Sequence, residues 1–183
     1  MDEERPPTPN PTAASLLGFL HESPMTGWSL EQAVDRSLGG FWNVTRSQIY
    51  RELRSLDAAG LVEPEEVGPR ERRPYRITEA GRRAFAEWIA HPPGEEVIRF
   101  PLLLTVYFRA HVEPGRMRRF LREHELLHLR RLERYERDVR RVPEDMTGPL
   151  LTLRFGIEYE RAVLRWFASI PDYDPLRQDA PAT

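Results

Sequence analysis

The sequence predicts a mostly α-helical protein that contains one small β-hairpin. Apolar residues recur at three- and four-residue spacing over most of the chain, which is typical of amphipathic helices. Short half-apolar runs separated by Gly68 and Pro69 are confined to one segment, which predicts a single hairpin. The 183 residues fit one domain with an appendage, or two small domains that share a core or a dimer interface.

Composition limits the classes of function. With 40% hydrophobic and 31% charged residues, the chain has no apolar run of the roughly 18 to 20 residues that span a bilayer. It opens with acidic and proline residues and lacks cysteine, which excludes disulfides, cysteine catalysis and thiolate zinc sites. We therefore expect a cytoplasmic protein without a membrane partner. A net charge of −2 argues against coating nucleic acid by bulk charge, although it says nothing about local patches.

The first two helices follow a polar arm. Residues 1–12 contain four prolines and three acids and are predicted to be a disordered arm. The run TAASLLGFLHES predicts a short helix that buries Leu16, Leu17 and Leu20, and TGWSLEQAVDRSL predicts a second helix that ends at Gly39 and Gly40.

The third helix, TRSQIYRELRSLDAAG, has the clearest boundaries in the chain. Thr45 is predicted to cap it, Gln48 to complete a capping box, and Gly60 to end it. The strands LVEPEEV and RRPYRIT follow, with the hairpin tip at about residues 67–72, and then Thr78 caps a fourth helix. Three helices, a hairpin and a helix form the order of a winged helix-turn-helix, which we assign to residues 13–92.

Basic side chains mark a candidate DNA-binding surface. In winged helices the third helix commonly enters the major groove, and a basic hairpin tip follows the phosphate backbone or enters the minor groove. The candidate DNA-binding residues are Thr45, Arg46, Ser47, Gln48, Tyr50, Arg51 and Arg54 on the helix, with Arg70, Arg72 and Arg73 at the tip. The alternative is an ordinary solvated face, and for Tyr50 a packing role is equally compatible with its spacing.

The second half of the chain is predicted to be a helical dimerisation domain, residues 95–170, followed by a flexible tail at 171–183. The run RFPLLLTVYFRAHV is apolar almost all round, so we expect it to be buried on more than one side. Charged and apolar patterns predict two further helices, about 116–141 and 149–170. Three helices with so little core of their own are typical of an association module.

The letters HELLH at residues 124–128 match the zinc-peptidase pattern. His124 and His128 would share one helix face, Glu125 could act as the general base, and Glu144 or Glu158 could be the third ligand. Both histidines also continue the apolar stripe of the predicted helix, which favours an interhelical or dimer seam. We therefore predict no metal, no cofactor and no enzyme activity.

Two longer runs, SQIYRELRSLDAAGLVEPE and RRPYRITEAGRRAFAEWI, resemble the PadR family of transcriptional regulators. The resemblance extends to RFPLLLTVYF and LRFGIEYERAVLRWF, and covers about residues 13–170. It implies a homodimeric winged-helix repressor that binds a palindromic double-stranded operator and, in some members, is released by a small molecule. It also implies that Ser47, Gln48, Tyr50 and Arg51 belong to the recognition-helix motif, and that Tyr75, Thr78 and Gly81 belong to the motif after the wing.

Aromatic residues supply a candidate effector site. Trp88, Phe100, Trp166 and Phe167 could line a pocket for a planar molecule, although aromatics at helical spacing also form ordinary core. The sequence thus leads to a DNA-binding transcriptional regulator, and the alternative is a winged-helix protein-interaction module that does not bind DNA.

Overall fold

The computed structural model describes residues 8–38, 41–42, 44–66, 73–95 and 98–171. The chain divides into two compact units between Glu95 and Glu96. The predicted fold class is confirmed, since the described residues form helices and one small antiparallel sheet.

The first unit contains four helices and three strands. Its helices are α1 (Pro11–Leu20), α2 (Gly27–Leu38), α3 (Arg46–Ala58) and α4 (Glu79–Ile89), and its strands are β1 (Met25–Thr26), β2 (Val62–Pro64) and β3 (Pro74–Ile77). The sheet order is β1-β3-β2, with both neighbours antiparallel to β3. The predicted hairpin is β2 and β3, whereas β1 was not predicted because two residues are too few to show an alternating pattern.

Local hydrogen bonds define where the helices of this unit begin. The Thr45 hydroxyl accepts from the Gln48 amide and the Gln48 side chain returns to Thr45, so the predicted capping box is present. The Thr78 hydroxyl accepts from the Gly81 amide at 3.0 Å. Helix α1 begins at Pro11, inside the predicted disordered arm, because the Asn10 side chain accepts from the Ala13 amide and proline suits the first helical position.

The core of the first unit holds α3 in place. Leucine, isoleucine and valine side chains of α1, α2, α3 and the sheet form one buried cluster. Gly60 ends α3 with φ +67°, a conformation that favours glycine. Gly81 lies so close to β2 that a Cβ at this position would stand 2.0 Å from the Leu61 carbonyl oxygen. The chain between α3 and α4 is therefore fixed by backbone geometry at both ends.

The second unit contains α5 (Pro101–Tyr107), a 3₁₀ turn (Arg109–His111), α6 (Pro114–Val139) and α7 (Thr147–Ala168). Helices α6 and α7 are the main packing partners in this unit, and their apolar side chains form two separate buried clusters. The Glu113 carboxylate caps α6 by accepting from the Gly115 and Arg116 amides, and these hydrogen bonds lower the pKa of Glu113.

Helix α5 corrects one expectation. We expected its segment to be buried on more than one side, but Leu102 is its only buried residue. Leu104 is 65% exposed and Tyr107 is 81% exposed. The hydrophobicity of a helix face does not show whether that face is buried against other residues of the same chain. Of the helices that the structure describes, none has the length and apolar character needed to cross a membrane.

Candidate nucleic-acid interface

Helix α3 has one buried face and one exposed basic face. Ile49, Leu53 and Leu56 are buried in the core of the first unit, as their spacing predicts. Of the candidate DNA-binding residues on this segment, the exposed ones are Thr45, Arg46, Ser47, Tyr50, Arg51 and Arg54, and Gln48 is half-buried. The helix therefore presents its arginines and its N-terminal polar residues to solvent on a support that cannot rotate without exposing the core.

Two of these arginines form ion pairs with carboxylates. The Arg46 Nε lies 2.9 Å from Glu31 Oε2 on α2, and the Arg51 Nη2 lies 3.2 Å from Glu52 Oε1. Both guanidinium groups are well exposed, so each pair is worth little in stability. The pairs nonetheless orient the guanidinium groups, and a nucleic acid would have to compete with Glu31 and Glu52 for them.

Glu52 anchors α3 to the start of α1. It is 7% exposed, and its Oε2 accepts from Asn10 Nδ2 at 2.9 Å while Oε1 accepts from Arg51. Asn10 also caps α1, so one asparagine serves two helices. Sequence reasoning missed Glu52, Asn10 and Glu31, because their contacts join residues 42 and 15 positions apart.

Tyr50 packs against α2 and remains 41% exposed. A Cβ built on Gly27 would stand 2.7 Å from two ring carbons of Tyr50 and 3.1 Å from its hydroxyl. Only glycine at the start of α2 allows the ring to lie this close. The position of Tyr50 in the sequence was compatible with a packing role and with a DNA contact. In the structure one side of its ring packs against α2 and the other side faces solvent.

The hairpin is described only near its base. Arg73 is exposed, whereas Arg70 and Arg72 lie outside the described residues. On β3, the Arg76 guanidinium pairs with Glu63 across the ladder, and its Nε lies 3.4 Å from Glu65. These carboxylates offset the charge of Arg76, so the base of the hairpin is not a basic surface.

The candidate effector residues fall into both units. Trp88 lies on α4 in the first unit. Phe100, Trp166 and Phe167 belong to one apolar cluster of the second unit, where the Trp166 and Phe167 rings are 4.9 Å apart. Phe167 is fully buried, while Phe100 and Trp166 are half-buried. The structure thus brings three of the four residues together.

The HELLH segment lies on α6 and packs against α7 of the same chain. His128 is buried, and its Nδ1 pairs with a carboxylate oxygen of the fully buried Glu160. The Phe100 ring stacks on this imidazole with centroids 5.8 Å apart. His128 therefore faces its own α7 rather than a dimer seam, while His124 is half-buried. Within the described ranges, no three His, Cys, Asp or Glu side chains are grouped so that they could hold a metal ion.

Two family models match the chain, one to each unit. The model described as the transcriptional regulator PadR-like family matches residues 16–87. The model described as virulence activator alpha C-term matches residues 98–170.

Curated relatives carry related names. A probable transcriptional regulator of Mycobacterium tuberculosis (strain ATCC 25618 / H37Rv) is 37% identical over 81 residues, which are 43% of this chain and 43% of that protein. The negative transcriptional regulator PadR of Bacillus subtilis (strain 168) is 30% identical over 98 residues, which are 51% of this chain and 54% of that protein. The chain thus spans about half the length of the curated relatives it matches.

Solved structures share the fold over most of their length. A PadR-like transcriptional regulator from Bacillus cereus aligns with a TM-score of 0.74 and 18% identity, over 85% of this chain and 93% of that one. Bacillus subtilis PadR in complex with operator DNA aligns with a TM-score of 0.70 and 21% identity, and the same protein with p-coumaric acid with 0.64 and 22%. Both alignments cover 86% of this chain and 94% of theirs. The match to the PadR-like family thus covers residues 16–87, and over most of its length the chain shares the fold of solved PadR-like regulators.

Proposed function

We propose that this chain is a homodimeric winged-helix repressor that binds a palindromic double-stranded DNA operator and is released by a small molecule. The observation that carries the proposal is the exposed face of α3, where Arg46, Arg51 and Arg54 stand on a helix whose opposite face is core. Arginine forks read guanine edges and phosphates, and a helix of this kind fits the major groove.

The first unit is proposed to be the DNA-binding domain and the second the dimerisation domain. Apolar side chains on the second unit support this division, because they are exposed in the single chain. The residues of the second unit that are more than half exposed include Ile98, Leu104, Tyr107, Phe108, Leu151 and Phe155. A second copy that covered these residues would give a two-fold dimer, and two α3 helices related by that axis would read two inverted half-sites.

Repression follows the name of the Bacillus subtilis relative, a negative transcriptional regulator. A bound repressor acts by occluding the promoter, and effector binding would change the separation of the two α3 helices. The p-coumaric acid complex of that same protein supports an aromatic effector here. Binding to operator DNA also implies a cytoplasmic location.

Fluorescence anisotropy with the purified full chain tests the proposal. The probe is labelled DNA from upstream of the protein's own gene, with a scrambled duplex of equal length and several salt concentrations. We expect selective binding that weakens steeply with salt, because phosphate contacts release counterions.

Matched variants locate the interface. Arg51→Ala should lower affinity by about 1 to 3 kcal/mol if Arg51 contacts a base. Arg83→Ala removes the same charge from the exposed side of α4 and should leave affinity unchanged. Equal binding by wild type and Arg51→Ala would contradict the assignment of α3. If genome-fragment selection recovered no DNA either, a winged-helix protein-interaction module would be the better description.

A further inference from the structure

Glu52 is a buried carboxylate on the face of α3 that packs into the core. The apolar stripe of this helix runs through Ile49, Leu53 and Leu56, and position 52 continues it at helical spacing. Glu52 is nevertheless charged, and it is 7% exposed. Burying a charge is costly, and replacing a buried ion pair with apolar residues is often neutral or stabilising. Stability alone therefore does not explain a carboxylate at this position.

Asn10 holds one oxygen of this carboxylate. Its Nδ2 donates to Glu52 Oε2 at 2.9 Å, while its Oδ1 accepts from the Ala13 amide at 2.9 Å at the start of α1. The orientation of the Asn10 amide group is determined by these partners, because the carboxylate requires a donor and the Ala13 N–H requires an acceptor. The Glu52 carboxylate is therefore held in place before any DNA binds.

The other oxygen of the carboxylate holds Arg51. Both Nε and Nη2 of Arg51 donate to Glu52 Oε1, at 3.3 and 3.2 Å. Adjacent residues of a helix point about 100° apart, so this contact requires the Arg51 side chain to fold back across the helix surface. The contact uses the edge of the guanidinium formed by Nε and Nη2, and the edge formed by Nη1 and Nη2 is directed away from the carboxylate. The Arg51 side chain is 66% exposed, so a nucleic acid can reach it.

We propose that Glu52 is a positioning residue for operator readout, which holds Arg51 so that its Nη1–Nη2 edge meets a guanine. Two parallel N–H groups on one edge match the O6 and N7 acceptors of guanine in the major groove. An arginine that is ordered before binding also loses less conformational entropy in the complex. Glu52 thus contributes to sequence selectivity without touching the DNA. The inference rests on the proposed operator binding.

Glu52→Gln tests the position with a side chain of the same shape. Glutamine offers one acceptor and one amino donor, whereas Asn10 and Arg51 both present donors, so it can serve only one of them. The change also removes a negative charge from beside the proposed interface, which by itself strengthens binding to any DNA sequence. Loss of positioning and loss of charge therefore have opposite effects on operator affinity.

Fluorescence anisotropy with the full chain measures affinity for the operator and for a scrambled duplex. We expect Glu52→Gln to lower the ratio of the two affinities about fivefold or more, the usual cost of one lost base contact, while scrambled DNA binds as before or more tightly. Asn10→Ser keeps a capping hydroxyl for α1 but lacks the amide that reaches Glu52, so it should lower the ratio in the same direction. Asp57→Asn removes the same charge from an exposed position of α3 and should leave the ratio unchanged.

A double-mutant cycle decides whether Glu52 acts through Arg51. In the Arg51→Ala background, Glu52→Gln should leave the affinity ratio unchanged, because no guanidinium is left to orient. If the two losses are additive, Glu52 acts independently of Arg51 and the proposal is overturned. A folded Glu52→Gln variant, verified by thermal unfolding, whose affinity ratio equals that of wild type would also overturn it.

Nuclear magnetic resonance of the DNA-free protein tests the contact independently. The heteronuclear 15N NOE of Arg51 Nε reports motion on the picosecond to nanosecond timescale. It should be high in wild type and should fall in Glu52→Gln and in Asn10→Ser, whereas Arg54, exposed on the same helix, should give a low value in all three. Equal values for Arg51 and Arg54 in wild type would overturn the proposal. If the protein bound no operator, the proposed function would fail, while the NOE would still decide whether Glu52 holds Arg51.

Discussion

Gly27→Ala provides a test of how Tyr50 is held on α3. The new Cβ would stand 2.7 Å from two ring carbons of Tyr50, whereas carbon atoms in contact prefer about 3.5 to 4.0 Å. The ring must therefore move by about 1 Å. Overpacking costs about 1 to 3 kcal/mol, and we expect the lower end because the atoms in contact are at the far end of a side chain that solvent reaches. Alanine has a higher helix propensity than glycine, which stabilises the protein by up to about 1 kcal/mol. This gain offsets the cost of overpacking, so the net free energy of unfolding should change little.

A double-mutant cycle with Tyr50→Ala isolates the contact. Without the ring, Gly27→Ala should stabilise the protein by up to about 1 kcal/mol, which gives a coupling energy of about 1 kcal/mol between the two positions. Urea unfolding followed by circular dichroism measures all four proteins. If the two changes in the free energy of unfolding add within about 0.3 kcal/mol, the reasoning is refuted, because additive effects are typical of residues that do not touch. In the single variant the displaced ring should also weaken operator binding, which anisotropy measures on the same samples.

Three further predictions concern stability. Gly81→Ala should cost more than about 3 kcal/mol or prevent folding, since its Cβ would clash with backbone, whereas Gly94→Ala meets nothing and should be neutral in thermal unfolding. Burial, with the nearby Arg82 guanidinium, lowers the pKa of His21 below 6.5, so the unfolded chain binds the proton more readily. Stability should therefore fall as the pH drops below about 6.5, and His21→Gln should flatten that part of the Tm-against-pH curve. Glu160→Ala should cost about 3 kcal/mol by leaving the buried His128 without its partner, and adding His128→Leu should restore part of the loss in Tm.

The sequence predicted best what depends on neighbouring residues. The capping box at Thr45, the cap at Thr78 and the left-handed Gly60 follow from local hydrogen bonding and backbone sterics, and all three are present. The buried face of α3 follows from helical spacing in the same way. These features determine where α3 begins, where it ends and which side it presents, and where α4 begins.

Contacts between distant segments were not predictable by the same means. Nothing in the spacing around Glu52 indicates that Asn10, 42 residues earlier, donates a hydrogen bond to it. The exposure of α5 in the single chain was not predicted, because an apolar run has the same appearance whether it meets its own chain or another molecule. Arg70 and Arg72 fall outside the described residues, so the basic tip of the hairpin stays a prediction.

The pairing of His128 with Glu160 has a consequence for how this chain can diverge. The two side chains share one buried space on α6 and α7, 32 positions apart, and losing either one would leave the other buried without its partner. A descendant that lost one would be selected to lose the other, through an apolar pair of similar volume. Related chains should therefore carry either both polar residues or two apolar ones, and HELLH should disappear from sequences in which position 160 is no longer acidic.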